Sequence, residues 1–165
     1  MRVLGIDPGS RATGYGVIDS GPAQARVVAS GAIKPPVNAE FSAKLLAVHD
    51  GISALIAEHA PHEVALEDAF LAKNVRTVAL ISQVRGVILL AAARAGVPVF
   101  EYAPRDVKMA IVGNGAAAKP QVEKMVTRLL GLTAANATAT LDESDALAVA
   151  LCHAHRERAR TRVNA

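Results

Sequence analysis

The chain has 165 residues, 52% of them hydrophobic and 20% charged, which fits one well-packed domain and excludes disordered, collagen-like and two-domain readings. No charge-free apolar stretch reaches the ~18–20 residues of a membrane span, and the N-terminus enters a strand without a signal-peptide layout, so the expected compartment is the cytoplasm. Eighteen Lys and Arg against fifteen Asp and Glu leave a net charge of +3, too small by itself to identify a polyanionic partner, and the lone Cys152 excludes an internal disulfide and reads as a buried reduced thiol.

The first third reads as three strands, Val3 to Asp7, Thr13 to Asp19 and Ala25 to Ile33, separated by Pro8-Gly9-Ser10 and Gly21-Pro22 turns, an antiparallel meander. Pro35-Pro36 stops the sheet. Phe41, Leu45, Val48, Ile52, Leu55 and Ile56 then recur at helical spacing, marking an amphipathic helix that ends near Pro61. Glu63 to Asp68 is a fourth strand, a long helix runs from about Arg76 to Ala95, and Gly96 and Pro98 precede a fifth strand, Val99 to Tyr102. Pro104 starts a short helix through Val112, the Gly113-Asn114-Gly115 loop leads to Lys119, and Pro120 opens a helix to about Leu130. Thr140 is placed to cap a last helix that carries Asp142 and Asp145, with an Arg-rich end at 156–165 expected to fray. The order implies a mixed five-stranded sheet flanked by helices, an α/β fold of the ribonuclease H-like type, with one domain over 1–155 and a basic tail over 156–165.

Four carboxylates stand out. Asp7 closes strand one where Pro8 and Gly9 turn the backbone, although taken alone it equally fits an aspartate that satisfies turn N–H groups. Glu67 closes strand four and lies beside Asp7 if those strands are neighbours; alone it fits an exposed strand-end acid. Asp142 and Asp145 share one helix face while Glu143 points elsewhere, and they serve either a site or the favourable negative charge of a first helical turn. Together the four are candidate catalytic and metal-binding residues, because converging carboxylates without a cation repel and raise one another's pKa. An all-oxygen set favours Mg²⁺ or Mn²⁺ over Zn²⁺, and His153 and His155, two apart on a helix, do not form a ligand pair. Two ions about 3.5–4 Å apart in such a site clamp a scissile phosphodiester and yield a 5′-phosphate and a 3′-hydroxyl.

Basic charge is regional. No acid occurs from Ala69 through Phe100, where Lys73, Arg76, Arg85 and Arg94 lie, and Lys73 and Arg76 share the loop after Glu67 with Phe70. Lys73 and Arg76 are candidate phosphate contacts by position, while Phe70 fits either base stacking or the core.

Gly-Ile-Asp-Pro-Gly-Ser-Arg-x-Thr-Gly-Tyr-Gly-Val at 5–17, Glu-x-x-Phe-x-Ala-Lys-Asn at 67–74, Gln-x-Arg-Gly at 83–86, Val-Phe-Glu-Tyr-Ala at 99–103 and Asp-x-x-Asp-Ala-Leu-Ala at 142–148 resemble the RuvC family of Holliday-junction resolvases over nearly the whole chain. The resemblance implies that Asp7, Glu67, Asp142 and Asp145 bind the metal, with the position of Asp142 varying to His in some members. It implies that Phe70 stacks on unpaired bases and that Lys108 and Lys119, otherwise solvated surface charges, contact phosphate. It further implies symmetric nicking of two strands of a four-way junction, a short T-rich cleavage sequence, roles in recombination and repair, and coupling to the RuvA–RuvB branch-migration complex. A homodimer is expected because Val78, Leu80, Ile81, Val84, Val87, Ile88, Leu89 and Leu90 occupy more than one face of the long helix; the alternative is that another helix of the same chain covers the second face. Three other functional classes fit parts of the pattern: an actin-like kinase or ATPase, which needs a second domain; a non-catalytic junction binder; and a ribonuclease H-like nuclease acting on RNA or on ends.

Overall fold

The computed structural model describes residues 1–21, 24–68, 74–133, 138 and 140–163. Five strands, β1 (Arg2–Pro8), β2 (Thr13–Ser20), β3 (Ala25–Ile33), β4 (Glu63–Glu67) and β5 (Val99–Tyr102), form one sheet in the order β3-β2-β1-β4-β5. The first three pair antiparallel, and β1–β4 and β4–β5 pair parallel. The mixed sheet expected from a meander followed by strand–helix alternation is therefore present, flanked by α1 (Phe41–His59), α2 (Val75–Arg94), α3 (Pro104–Val112), α4 (Lys119–Leu129) and α5 (Leu141–Val163).

Strand alternation divides the core into two layers. Leu4, Ile6, Val17, Val64 and Leu66 pack with Val48, Ile52 and Ile56 of α1 and Val84 and Ile88 of α2. On the opposite face Val3, Ile18, Ala65 and Tyr102 pack with α3, α4 and the Leu147–Cys152 stretch of α5. Helix α5 lies unusually close to the sheet. A Cβ on Gly5 would stand 2.3 Å from the Ala146 carbonyl oxygen, and one on Gly14 would stand 2.1 Å from that of Asp142. Glycine in these strand interiors thus exchanges strand propensity for contact with a helix backbone, which resolves what approaches strand two: the neighbouring helix.

Local chemistry sets the boundaries. The Asn74 side chain accepts from the Arg76 N–H at 2.8 Å, so α2 begins one residue before the sequence expectation. Ala60 and Gly113 adopt left-handed conformations that end α1 and α3. Thr140 caps α5 as expected, its Oγ1 accepting from the Glu143 N–H at 3.3 Å. The segment expected to fray instead continues α5 to Val163, supported by an Arg160–Glu157 pair at 2.8 Å one turn apart and by the Arg158 guanidinium donating to the Gly21 carbonyl.

His153, fully buried, donates through Nε2 to Glu63 Oε2 at 2.5 Å if Tyr102, 2.6 Å away, donates its hydroxyl to Nδ1, the arrangement that satisfies all three groups. It is a core histidine. Cys152 is also buried, which pushes its thiol up to about 11.

Among the described residues, helix α2 is covered on one side only. Val84 and Ile88 are buried in the chain's own core, whereas Leu89 and Leu90 are exposed. Ala79, Ser82, Gln83, Gly86, Leu89, Leu90 and Ala93, all exposed, recur at three and four residues along a single outward stripe. The expected second apolar surface exists, but Ile88 belongs to the inward side.

Candidate active site

Parallel pairing places Ile6 opposite Leu66, so Asp7 and Glu67 fall side by side on the strand face that looks toward α5. Their carboxyl groups are hydrogen-bonded to each other. Both are half-buried. Burial, then the Asp7 charge, then the shared hydrogen bond push Glu67 up to about 9. Burial also raises Asp7, with smaller contributions from Asp145 and Asp142 partly offset by the hydrogen bond and by Lys119. Burial and mutual repulsion therefore both work against ionising the cation-free pair fully.

Asp145 enters the same cleft from α5, and the first residue of α4, Lys119, reaches its Oδ2 at 2.6 Å. That contact, against some desolvation, raises the Lys119 pKa, and Asp7 and Glu67 add to it. Asp7, Glu67, Lys108, Lys119 and Asp145 line one cavity of about 420 Å³, closed on the apolar side by Ile81, Val107, Val122 and Ala148. Asp142 does not line it. It sits one helical turn before Asp145 with its backbone against Gly14, and it acts on the site through its charge on Asp7.

The donor set suits a hard divalent cation: three carboxylates from three elements, no sulfur, and an excess of negative charge that the Lys119 ammonium group offsets only in part. Among the described residues no three His, Cys, Asp or Glu side chains already stand at ligand spacing around one point. The reason is visible in the contacts, since Glu67 is turned onto Asp7 and Asp145 onto Lys119.

Of the expected DNA contacts, Lys108 and Lys119 border this cleft, and Arg76 is exposed in the first turn of α2. Phe70 and Lys73 lie outside the described residues. Sequence reasoning missed two arrangements. Asp68, next to Glu67, points to the opposite sheet face, where Arg85 of α2 pairs with it at 2.8 Å and also with Glu101 of β5. Glu143 is buried and bonds to Ser30 and Thr140. Strand alternation predicts the first; Arg85, the one charge between the end turns of the long apolar helix, was its available signal.

The family model described as crossover junction endodeoxyribonuclease RuvC matches residues 3–153. The crossover junction endodeoxyribonuclease RuvC of Pelobacter propionicus is 47% identical over 149 residues, covering 90% of this chain and 83% of that protein. RuvC from Thermus thermophilus superposes with a TM-score of 0.88 at 34% identity over 98% of both chains. The same protein in complex with a Holliday junction substrate superposes with a TM-score of 0.90 at 34% identity, covering 98% of this chain and 97% of that one. With its family motifs carried on the same sheet and helices, this chain belongs to the RuvC family of crossover junction endodeoxyribonucleases.

Proposed function

We propose that this protein resolves Holliday junctions by hydrolysing two symmetric strands, with Asp7, Glu67, Asp142 and Asp145 as its metal-binding acids. The observation that carries the reading is the convergence of Asp7, Glu67 and Asp145 from β1, β4 and α5 into one cleft with two lysines at its border. Asp142, one helical turn before Asp145 and outside the cavity lining, completes the proposed set. The all-oxygen set favours Mg²⁺ or Mn²⁺, two ions per site. Such ions supply a lowered pKa for the attacking water and neutralise the leaving 3′-oxygen, so the products are a 5′-phosphate and a 3′-hydroxyl.

The remaining work falls to the chain. Asp7 and Glu67 are held by adjacent strands, so their spacing is fixed by the sheet, whereas Asp145 depends on where α5 packs. Lys119 neutralises Asp145 before metal arrives and then serves phosphate, as Lys108 does; Arg76 and Lys73 extend the contact along the strand, and Phe70 stacks on bases opened at the crossover. Burial of Glu67 makes metal binding release a proton, because a protonated carboxyl is a poor ligand.

The outward stripe of α2 supports a two-fold homodimer. Its small residues at Ala79, Ser82 and Gly86 let two helices approach, and Leu89 and Leu90 lose exposed apolar surface there. An isologous pair carries two sites, which matches two equivalent strands of a junction. We further propose a role in recombination and repair, a cytoplasmic location, and action with the RuvA–RuvB complex, readings that family membership supports. Incubating the pure protein with a synthetic four-way junction and Mg²⁺ or Mn²⁺, then mapping both nicks, tests the reading. Paired nicks at symmetric positions are expected on the junction and not on duplex or RNA–DNA hybrid; cutting of all three substrates alike refutes it.

A further inference from the structure

A second cavity, of about 260 Å³, lies on the other face of the sheet from the carboxylate cleft. It is bounded by the β1–β2 turn, the start of α1 and the middle of α2. Its lining includes Ser10, Arg11, Thr13, Phe41, Lys44 and Val84, and among the described residues no acid. The two cavities share one chain segment, with Asp7 and Pro8 in the first and Gly9 to Thr13 in the second.

Three features define what the cavity would accept. At its mouth Arg11 is exposed and makes no ion pair among the described residues, and the Lys44 ammonium is held nearby by the Val37 carbonyl at 2.6 Å. These favour an anion. The walls from Phe41, Val48 and Val84 are apolar and suit a flat or hydrophobic body. Thr13, however, is fully buried, and its Oγ1 has no hydrogen-bond partner among the described residues, a state that native structures rarely leave standing. A single water, with a share of liquid volume near ~30 Å³, would satisfy the hydroxyl but leave most of the apolar space unfilled. An acyl chain would fill the space and leave the hydroxyl unpaired. A heteroaromatic ring does both, since it carries polar atoms on the edge of a flat apolar body.

We propose that this cavity is a second binding site, for a heteroaromatic anion of mononucleotide size, whose phosphate meets Arg11 and Lys44 and whose ring lies against Phe41 with a polar edge atom on Thr13 Oγ1. The ligand has two possible sources, a free mononucleotide or one nucleotide of a bound strand, and the same test distinguishes them.

Thymidine 5′-monophosphate is titrated by calorimetry and by amide chemical shifts in EDTA, so that no metal can hold its phosphate in the carboxylate cleft. The expected result is saturable binding with shifts at Ser10–Thr13 and Phe41–Val48. Inorganic phosphate and thymidine each bind about 10-fold more weakly, Arg11→Ala weakens the nucleotide about 10-fold, and Thr13→Val about 5-fold. Arg11 is a surface residue, so its variant keeps the test interpretable even if Thr13→Val fails to fold. Adding saturating junction to the Glu67→Gln protein then separates the sources: displacement of the probe assigns the site to the strand, and unchanged binding assigns it to a free nucleotide. Absence of saturation up to about 10 mM, equal affinity for phosphate alone, or shifts confined to Asp7, Glu67 and Lys119 overturns the proposal.

Discussion

Replacing Gly14 by alanine tests whether the close packing of α5 on the sheet sets the site. The new Cβ would stand 2.1 Å from the Asp142 carbonyl oxygen and 3.1 Å from the Asp142 Cβ. An ordinary carbon–oxygen contact is about 3.3–3.6 Å, so relief requires the start of α5 to retreat by about 1 Å. The retreat is possible because Asp142 lies in the first turn, ahead of the buried Ala146–Cys152 stretch that anchors the helix. Overpacking of this kind costs about 1–3 kcal/mol, which for a chain of this size lowers the melting temperature by about 2–12 °C. Catalysis should suffer more than stability. Ligand spacing tolerates only about 0.2 Å, and a displacement of about 1 Å at a reacting site can cost about 100-fold in rate. Single-turnover junction cleavage should therefore fall about 100-fold, while junction binding in EDTA stays within about 3-fold because the phosphate contacts are elsewhere. A folded Gly14→Ala protein that cleaves at the wild-type rate would refute the view that α5 packing positions Asp142 and Asp145.

Glu67 has an ordinary carboxyl pKa of 4.5 when unfolded and about 9 in the fold, so between those values the folded state binds the extra proton. Its stabilising share is complete below about 4.5 and is lost as pH rises toward 9. The melting temperature of the metal-free protein should accordingly fall across that window, Glu67→Gln should flatten the fall and abolish cleavage, and an unchanged profile would contradict the buried shared proton. Lys108→Ala should weaken junction binding and reduce the salt slope by about one, with an unaltered slope returning Lys108 to plain surface charge. Leu90→Glu should yield a monomer by light scattering and uncouple the two nicks, whereas a dimer mass would place the interface elsewhere; Ile88→Glu is expected to unfold the chain, since Ile88 is wholly buried.

The sheet was legible because its signals are local. Alternation and turn residues at Pro8-Gly9-Ser10 define β1 and β2, and Val99 to Tyr102 is bounded by Pro98 and Pro104. The carboxylates were legible for a related reason: Asp7 and Glu67 end strands, and parallel pairing of β1 with β4 brings such ends together. What escaped was information that exists only after packing. Lys119 and Asp145 are 26 residues apart and meet only because α4 and α5 pack on one face. Arg85, Asp68 and Glu101 come from three elements and join on the opposite one.

Strand alternation gives the adjacent acids Glu67 and Asp68 different work. Glu67 turns toward α5 and is pressed against Asp7, where losing its proton is costly. Asp68 turns toward α2 and is paired with a guanidinium whose other arm holds Glu101. The paired acid therefore fixes the end of β4 from behind, and its backbone N–H is tied to the Tyr102 carbonyl at 2.8 Å, so Glu67 is presented from an anchored strand end. Arg85→Met should separate these roles. It removes a largely buried cation, at a cost of about 1–3 kcal/mol after allowing for the partly exposed partners, and it frees the strand end that carries Glu67. Cleavage should fall further than the folded fraction, measured by single-turnover rate against the melting curve at one temperature, and Arg85→Lys should recover part of it through charge without the fork. A rate that tracks the folded fraction alone would reduce Arg85 to a structural ion pair with no hold on the site.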